Sequence, residues 1–549
     1  MKSCIKQFVC VLAVACTSTA FACTNFIVGK KASSDGSVLV SYAADNYGMY
    51  GFLYHRGASK HNNGELREVR YWDTNKFLCN IPEAPITYNV VGNINENQVA
   101  IAETTFGGRE ELADTTATMD YGSMIYIALE RSRTAREAIK IMTDLVEKYG
   151  YNSEGETFTI ADKNEAWIME MVGKGNVEKG AVWVAVRVPD DCICAHANQS
   201  RIHKFNMKDK ENVMYAKDVV KFARKRGYFK GKDEDFDFAN AYCPANFEGL
   251  RFCEARVWSF FNRWSDGMDK YLPYASGKDL SAEPMPLFIK PKKKLTASDV
   301  MNSMRDHYEG TPFDMTVDVG SGIYRAPYRP TPLSWKYEGK EYFNERPAST
   351  QQSGFVFVAQ LRSELPNPIG GVLWFGNDDA NMIAFTPMYC CITKSPECFS
   401  EKTADAVTFS WRSAFWVCNW VSNMVYPRYS MMFGDLEKLR NKLECFYLGS
   451  QNKIETEAKR LYQKDPEKAV EFLTCYSDTV AQSMTSQWKK LGEFLVVKYN
   501  DQAVKPEKNG RFLRTADGLG ETVKRPGFPE EYKKVIVTET GNKYLVPTK

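Results

Sequence analysis

Cys23 follows Ala20-Phe21-Ala22, behind a segment with Lys2 and Lys6, an apolar run from Phe8 to Ala15 and a few small polar residues. That layout is a secretory signal ending in an A-x-A cleavage site, and cleavage there makes Cys23 the first residue. An N-terminal cysteine carries nucleophile and base on one residue. Its thiol attacks, and its free α-amine, with a pKa of ~7.7 to 8.0, takes the thiol proton directly or through one water. Amide hydrolysis by such a residue further needs donors for the oxyanion, a group that holds the amine, and a strand that fixes them all. A lipoprotein signal also ends at a cysteine. Ala20 and the bulky Phe21 depart from that pattern, whereas "LAVAC" at Cys16 is nearer to it.

Other chemistries find little support. No G-x-x-x-x-G-K-[ST] loop is present and no dinucleotide fingerprint follows a strand, which argues against nucleotide chemistry. "CICAH", Cys192 to His196, has metal-ligand residue types. Alternate ligands on a strand share one face too closely for a tetrahedral zinc site without further partners. Five histidines carry no local signature of a Cys-His dyad. The sequence predicts neither metal nor cofactor.

The elements around Cys23 read as mixed α and β. "TNFIVGKKASSDGSVLVSYAADN" is a strand, a Ser-Ser-Asp-Gly turn and a second strand. Further strands are predicted at Tyr88 to Ile94, Gln98 to Thr104, Thr157 to Ala161, Ala166 to Val172 and Val182 to Val188. "MIYIALERSRTAREAIKIMTDLVEKYG" has helical spacing in two pieces and a closing Gly150. "SGFVFVAQLRS" and "GGVLWFGNDD" read as paired strands, and "WRSAFWVCNWVSNMVY" as a buried helix. From Phe433 to Tyr499 long amphipathic helices are predicted, with a helix start at Asp465, and then a loose tail with one strand, "KKVIVTE". Strands, helices and strands again argue for α+β layers. The predicted division is a signal peptide at 1–22, a catalytic domain at 23–430, a helical extension at 431–500 and a tail at 501–549.

A chain of 549 residues, 44% hydrophobic and 13% aromatic, can bury a large core. With 71 basic and 68 acidic residues no overall field points to nucleic acid, and "KPKKK", Lys290 to Lys294, is a solvated loop. After the leader no apolar stretch approaches the ~18 residues of a membrane span. Fifteen cysteines suit, without requiring, an oxidising compartment, and their spacing sets no pairing. The protein is therefore predicted to be exported, with small molecules rather than nucleic acid as partners; a homo-oligomer stays open.

The start "CTNFIVGKKASSDGS" resembles the N-terminal-nucleophile (Ntn) hydrolases, in the dipeptidase branch typified by dipeptidase A of lactic acid bacteria and related to penicillin V acylase and bile salt hydrolase. "AHANQSRI", "EARVWSFFNRWS", "MRDHYEGTPFD", "IYRAPYRP" and "VLWFG" follow in the family's order. The resemblance implies a four-layer αββα fold and cleavage of dipeptides, with an N-acyl amide hydrolase and a non-enzymatic surface lipoprotein as alternatives. It implies Cys23 as nucleophile and Asp45 as the aspartate holding amine and thiol, although Tyr42 stands where the family has an arginine. It further implies Asn198 as an oxyanion donor and Thr105 at a second oxyanion position, acting through its backbone N–H. Arg256 is implied as the later active-site arginine, with Arg251 its competitor. His307, in "RDHYEG", is read as structural.

Overall fold

The computed structural model describes residues 23–547, and the predicted signal segment lies outside them. The chain opens as the predicted hairpin. β1 (Asn25–Val28) runs antiparallel to β2 (Val38–Asp45), with Ile27 opposite Val40. Asp35 accepts the backbone N–H and hydroxyl of Ser37, and Gly36 takes φ +76°, where a Cβ is unfavourable. The other main elements are β3 (Ala100–Phe106), α1 (Tyr121–Arg131), α2 (Ala135–Tyr149), β4 (Gly155–Ala161), β5 (Ala166–Gly173), β6 (Ala181–Arg187) and β7 (Ile193–His196). Then come α3 (Ala255–Trp264), α4 (Ala297–Met304), β8 (Ser353–Leu361), β9 (Gly371–Asn377) and β10 (Thr386–Tyr389). The last large elements are α5 (Ala414–Val425), α6 (Tyr429–Lys464) and α7 (Pro466–Tyr499).

Two large antiparallel sheets dominate. The first, of seven strands, runs Phe288–Ile289, β7, β1, β2, β8, β9, β10. The second, of eight, runs Val213–Tyr215, β6, β5, β4, β3, Ile94–Asn95, Val90–Val91, His55–Arg56. Alternation along the strands of the second sheet serves two cores. Ile101, Phe158, Ile160, Trp167 and Met169 pack with Met124, Ile127, Ala138 and Met142 of α1 and α2. Ala102, Ile168, Val182 and Val184 instead join Ile27, Val38, Val40 and Phe357 of the first sheet. His196 of β7 spans the two sheets, its ring nitrogens each 2.7 Å from the hydroxyls of Thr104 and Thr159.

The far side of the first sheet carries helices. Phe260 of α3 stacks on Phe26 at 4.0 Å, Ser41 of β2 meets Met304 of α4 at 3.0 Å, and Ser477 of α7 accepts from the Tyr389 N–H of β10. Asp465 caps α7 ahead of Pro466, a combination suited to the first turn of a helix. The buried Arg362–Glu455 pair ties α6 to the end of β8.

Two expectations are corrected. Tyr88 to Ile94 is not one strand: Gly92 at φ +55° turns the chain so that Val90 pairs with Asn95. "KKVIVTE" lies in a helix, Glu530–Thr540. Its β-branched run finds no partner strand among the described residues, while Pro529 directly ahead and Glu530 and Glu531 in the first turn favour a helix start.

Candidate active site

Cys23 is buried at the start of β1, where Thr24 and Ala43 of β2 exchange backbone hydrogen bonds. Arg256, in the first turn of α3, reaches it. Nη1 donates to the Cys23 carbonyl at 2.6 Å and to Thr24 Oγ1 at 2.8 Å; Nη2 donates to the Ala197 carbonyl at 3.0 Å and to Asn198 Oδ1 at 2.9 Å. Arg251 instead pairs with Glu345 and donates to the Ser276 carbonyl.

Asn198 follows β7 at φ +65°, a conformation asparagine tolerates better than most residues. Glu170 of β5 holds this loop, accepting from the Ser200 hydroxyl and from the N–H groups of Arg201 at 2.5 Å and Ile202 at 3.1 Å. Arg201 pairs with Glu254, just ahead of α3. Asn198 Nδ2 donates to the Thr105 carbonyl at 2.6 Å, so Thr105 meets the site through its carbonyl, and its hydroxyl donates to Glu156 at 3.0 Å. Cys23, Thr105, Asn198 and Arg256 thus form one hydrogen-bonded chain drawn from four elements.

Asp45, at the end of β2, has both carboxylate oxygens engaged, by Arg346 Nη2 at 2.5 Å and by the Ser353 hydroxyl at 2.5 Å. Its backbone N–H favours the Cys23 thiolate. The cation that Tyr42 cannot provide therefore reaches Asp45 from a distant part of the chain. The "RDHYEG" loop braces that part: Tyr308 donates to the Arg346 carbonyl at 2.7 Å, and the Asp306 carbonyl accepts from the Ser349 N–H at 3.1 Å. His307 directs its ring to Glu309 and to the Tyr426 hydroxyl.

The residue types alone did not disclose the other side of Cys23. Glu103 Oε1 lies 3.5 Å from Cys23 Sγ and accepts the Tyr42 hydroxyl at 2.5 Å. Tyr42 is itself 3.7 Å from the thiol, its ring held edge-on by Phe355 and Phe357. Glu103 and Glu156 are both fully buried and interact with each other, and the Oε2 of neither receives a donor from any described residue. Burial and the charge of Glu103 push Glu156 well above the usual carboxylate range. Burial also raises Glu103, against the opposing hydrogen bonds of Tyr42, Glu156 and Cys23. Two carboxyls this close and this deeply buried titrate as a pair, each raised by burial. A usable signal was present: "AIAETTF" and "GETFTIA" each set a glutamate inside an otherwise buried strand.

Burial pushes the Cys23 thiol well up, reinforced by the charges of Glu103 and then Asp45, and opposed by the Asp45 N–H and the Tyr42 hydroxyl. A thiol held neutral in this way needs a base within reach to become a nucleophile. The "CICAH" segment does something different. Cys194 is buried, and His196, between two threonine hydroxyls, is driven well below its ordinary value by burial and by Arg201 and Arg256. The twelve cysteines among the described residues are all thiols.

Peptidase family C69 matches this chain over residues 22–442. A probable dipeptidase of Salmonella dublin is 27% identical over 391 residues, covering 67% of this chain and 81% of that protein. A probable dipeptidase of Latilactobacillus sakei is 26% identical over 426 residues, 74% of this chain and 82% of its own. Dipeptidase A of Lactobacillus helveticus is 23% identical over 489 residues, 83% of this chain and 93% of its own. With the match running from just ahead of Cys23 through both sheets and all the residues that surround the thiol, the chain belongs to peptidase family C69.

Proposed function

We propose that this protein is an exported cysteine dipeptidase of the N-terminal-nucleophile type, matured by removal of residues 1–22. The observation that carries the reading is the Arg256 guanidinium, which ties the Cys23 carbonyl to the Asn198 amide. Nucleophile and oxyanion donor are then held by one buried cation. The relatives' names supply the substrate class, and the placement of the two sheets between helices supports an αββα Ntn fold.

In the mature protein the Cys23 thiol proton passes to the residue's own α-amine as Sγ bonds to the carbonyl carbon of the substrate's first residue. Negative charge develops on the carbonyl oxygen, which the Asn198 side-chain amide stabilises. The Cys23 ammonium returns the proton to the departing amine as the C–N bond breaks, leaving a thioester. Water then attacks, giving its proton to the same amine; the C–S bond breaks, and acid and thiol are released. Arg256 and the Thr105 carbonyl are positioning groups, since they orient Cys23 and Asn198. Asp45, neutralised by Arg346, places its N–H on the sulfur and fixes the start of β1 against β2.

The test is a substrate panel given to purified protein whose sequenced N-terminus is Cys23: free dipeptides, their N-acetyl forms, longer peptides, conjugated bile acids and penicillin V. Turnover of free dipeptides above all others is expected. Faster turnover of acylated compounds makes the enzyme an acylase with the same nucleophile. A lipid on the N-terminus, or no turnover with a thiol inert to alkylation, overturns the enzyme reading.

A further inference from the structure

We propose that Glu103 sets substrate specificity: its carboxylate receives the α-ammonium group of the residue whose carbonyl Cys23 attacks. This rests on the dipeptidase reading above. In any amino acid the α-nitrogen lies about 2.5 Å from its carbonyl carbon, as the N–Cα and Cα–C bonds and their angle require. A near-attack geometry puts that carbon about 3 to 3.5 Å from the nucleophile. A charge-assisted N–H···O contact needs about 2.7 to 2.9 Å. An acceptor that closes this chain must sit within a few ångströms of the sulfur, and Glu103 Oε1 sits 3.5 Å from it.

Charge balance points the same way. Asp45, the other carboxylate beside Cys23, is neutralised by Arg346. On the Glu103 side the neighbours are Glu156, Asp73 and the hydroxyls of Tyr42 and Tyr121. The strongest influences on Glu103 come from burial, Tyr42, Glu156, Cys23 and Asp73, and no described lysine, arginine or histidine forms an ion pair with it within 4 Å. An ionised carboxylate buried without a cation is costly, and a ligand that brings the cation recovers that cost. The Tyr42 hydroxyl, donating to Oε1 at 2.5 Å, fixes that oxygen 3.5 Å from the sulfur. A substrate without the ammonium leaves the carboxylate buried and unpaired, which is how a polar site rejects an analogue. The blocked and the free amine are thereby told apart at the reacting carbon itself.

The experiment compares mature wild type with Glu103→Gln on one free dipeptide and on its desamino analogue, in which hydrogen replaces the amine. In Glu103→Gln, kcat/KM for the free dipeptide should fall about 10²- to 10³-fold, in the range for losing one partner of a buried charged pair. The desamino analogue should change less than about threefold, so that the preference collapses. An equal fall on both substrates would assign Glu103 to the thiol or to the enzyme's own amine and overturn the proposal; so would an unchanged ratio. Wild type that turns over neither compound defeats the dipeptidase reading instead. A second measurement needs no variant: alaninol, but not N-acetyl-alaninol, should slow alkylation of Cys23 in wild type by iodoacetamide. Equal protection by both, or by neither, contradicts the assignment.

Discussion

Cys23 lies between two walls that are equally buried and oppositely organised. On one, Asp45 is matched by Arg346, and Arg256 is spent on the carbonyls of Cys23 and Ala197, the Thr24 hydroxyl and Asn198. On the other, Glu103 and Glu156 lie buried against each other beside the Tyr42 hydroxyl, with the exposed Asp73 adding its negative charge to Glu103. A compensated charge holds structure; an uncompensated one is a place for a ligand. The paired wall is accordingly assigned to positioning and the acidic wall to recognition.

The largest effect should come from the residue both walls share. Cys23→Ser is expected to lower kcat by at least about 10³-fold with an unchanged melting temperature, because the nucleophile is lost while the packing is kept. On the paired wall, Asn198→Ala should cost about 10² to 10³ in kcat, the usual loss for one oxyanion donor. A folded variant that loses less than threefold would leave Asn198 only a loop residue held by Thr105 and Arg256.

Stability should separate the walls more sharply than activity. Arg346→Met strands the Asp45 carboxylate and should destabilise by about 3 to 5 kcal/mol in denaturant melts, as breaking a buried pair does. Glu103→Gln removes a charge that has no cation, so its midpoint should not fall. If both variants melt alike, the contrast between the walls is wrong.

The smallest effect concerns Glu170, which braces the Asn198 loop and is raised to about 7, chiefly by burial. A carboxyl raised in the folded state binds its proton more tightly than in the unfolded chain. Its stabilising contribution is complete below the unfolded value of about 4.3 and is lost as pH rises through about 7. The melting temperature of wild type should therefore drop between pH 6 and pH 8 by more than that of Glu170→Gln. Parallel curves would place the Glu170 proton elsewhere.

The sequence was informative where local pattern decides structure. The β1–β2 hairpin shows in its alternation and Asp-Gly turn, α7 in its Asp-Pro start, and Asn198 and Arg256 in segments long enough to be matched. Arg346 had no such mark: "NERPAST" is an irregular segment, and its pairing with Asp45 spans 301 residues. Tyr42 read as a lost arginine, when it carries a hydroxyl to Glu103 and the arginine's charge arrives from elsewhere. Glu103 and Glu156 each sit alone in a strand, and only the register that puts Thr105 opposite Glu156 brings the two carboxyls together. The helix at Glu530–Thr540 is masked in the sequence by its β-branched residues, which favour a strand only where a partner strand exists.

The central claim is that Cys23 attacks with its own α-amine as base, and moving the amine while keeping the thiol tests it most directly. Two preparations are compared, one starting at Cys23 and one with a single glycine ahead of it, by kcat on a free dipeptide and by iodoacetamide labelling of Cys23. The account predicts that the glycine-extended protein labels fully yet turns over at least about 10²-fold more slowly, at the low end of what a positioned proton-transfer group contributes. Equal turnover by the two would show that the amine is not the base.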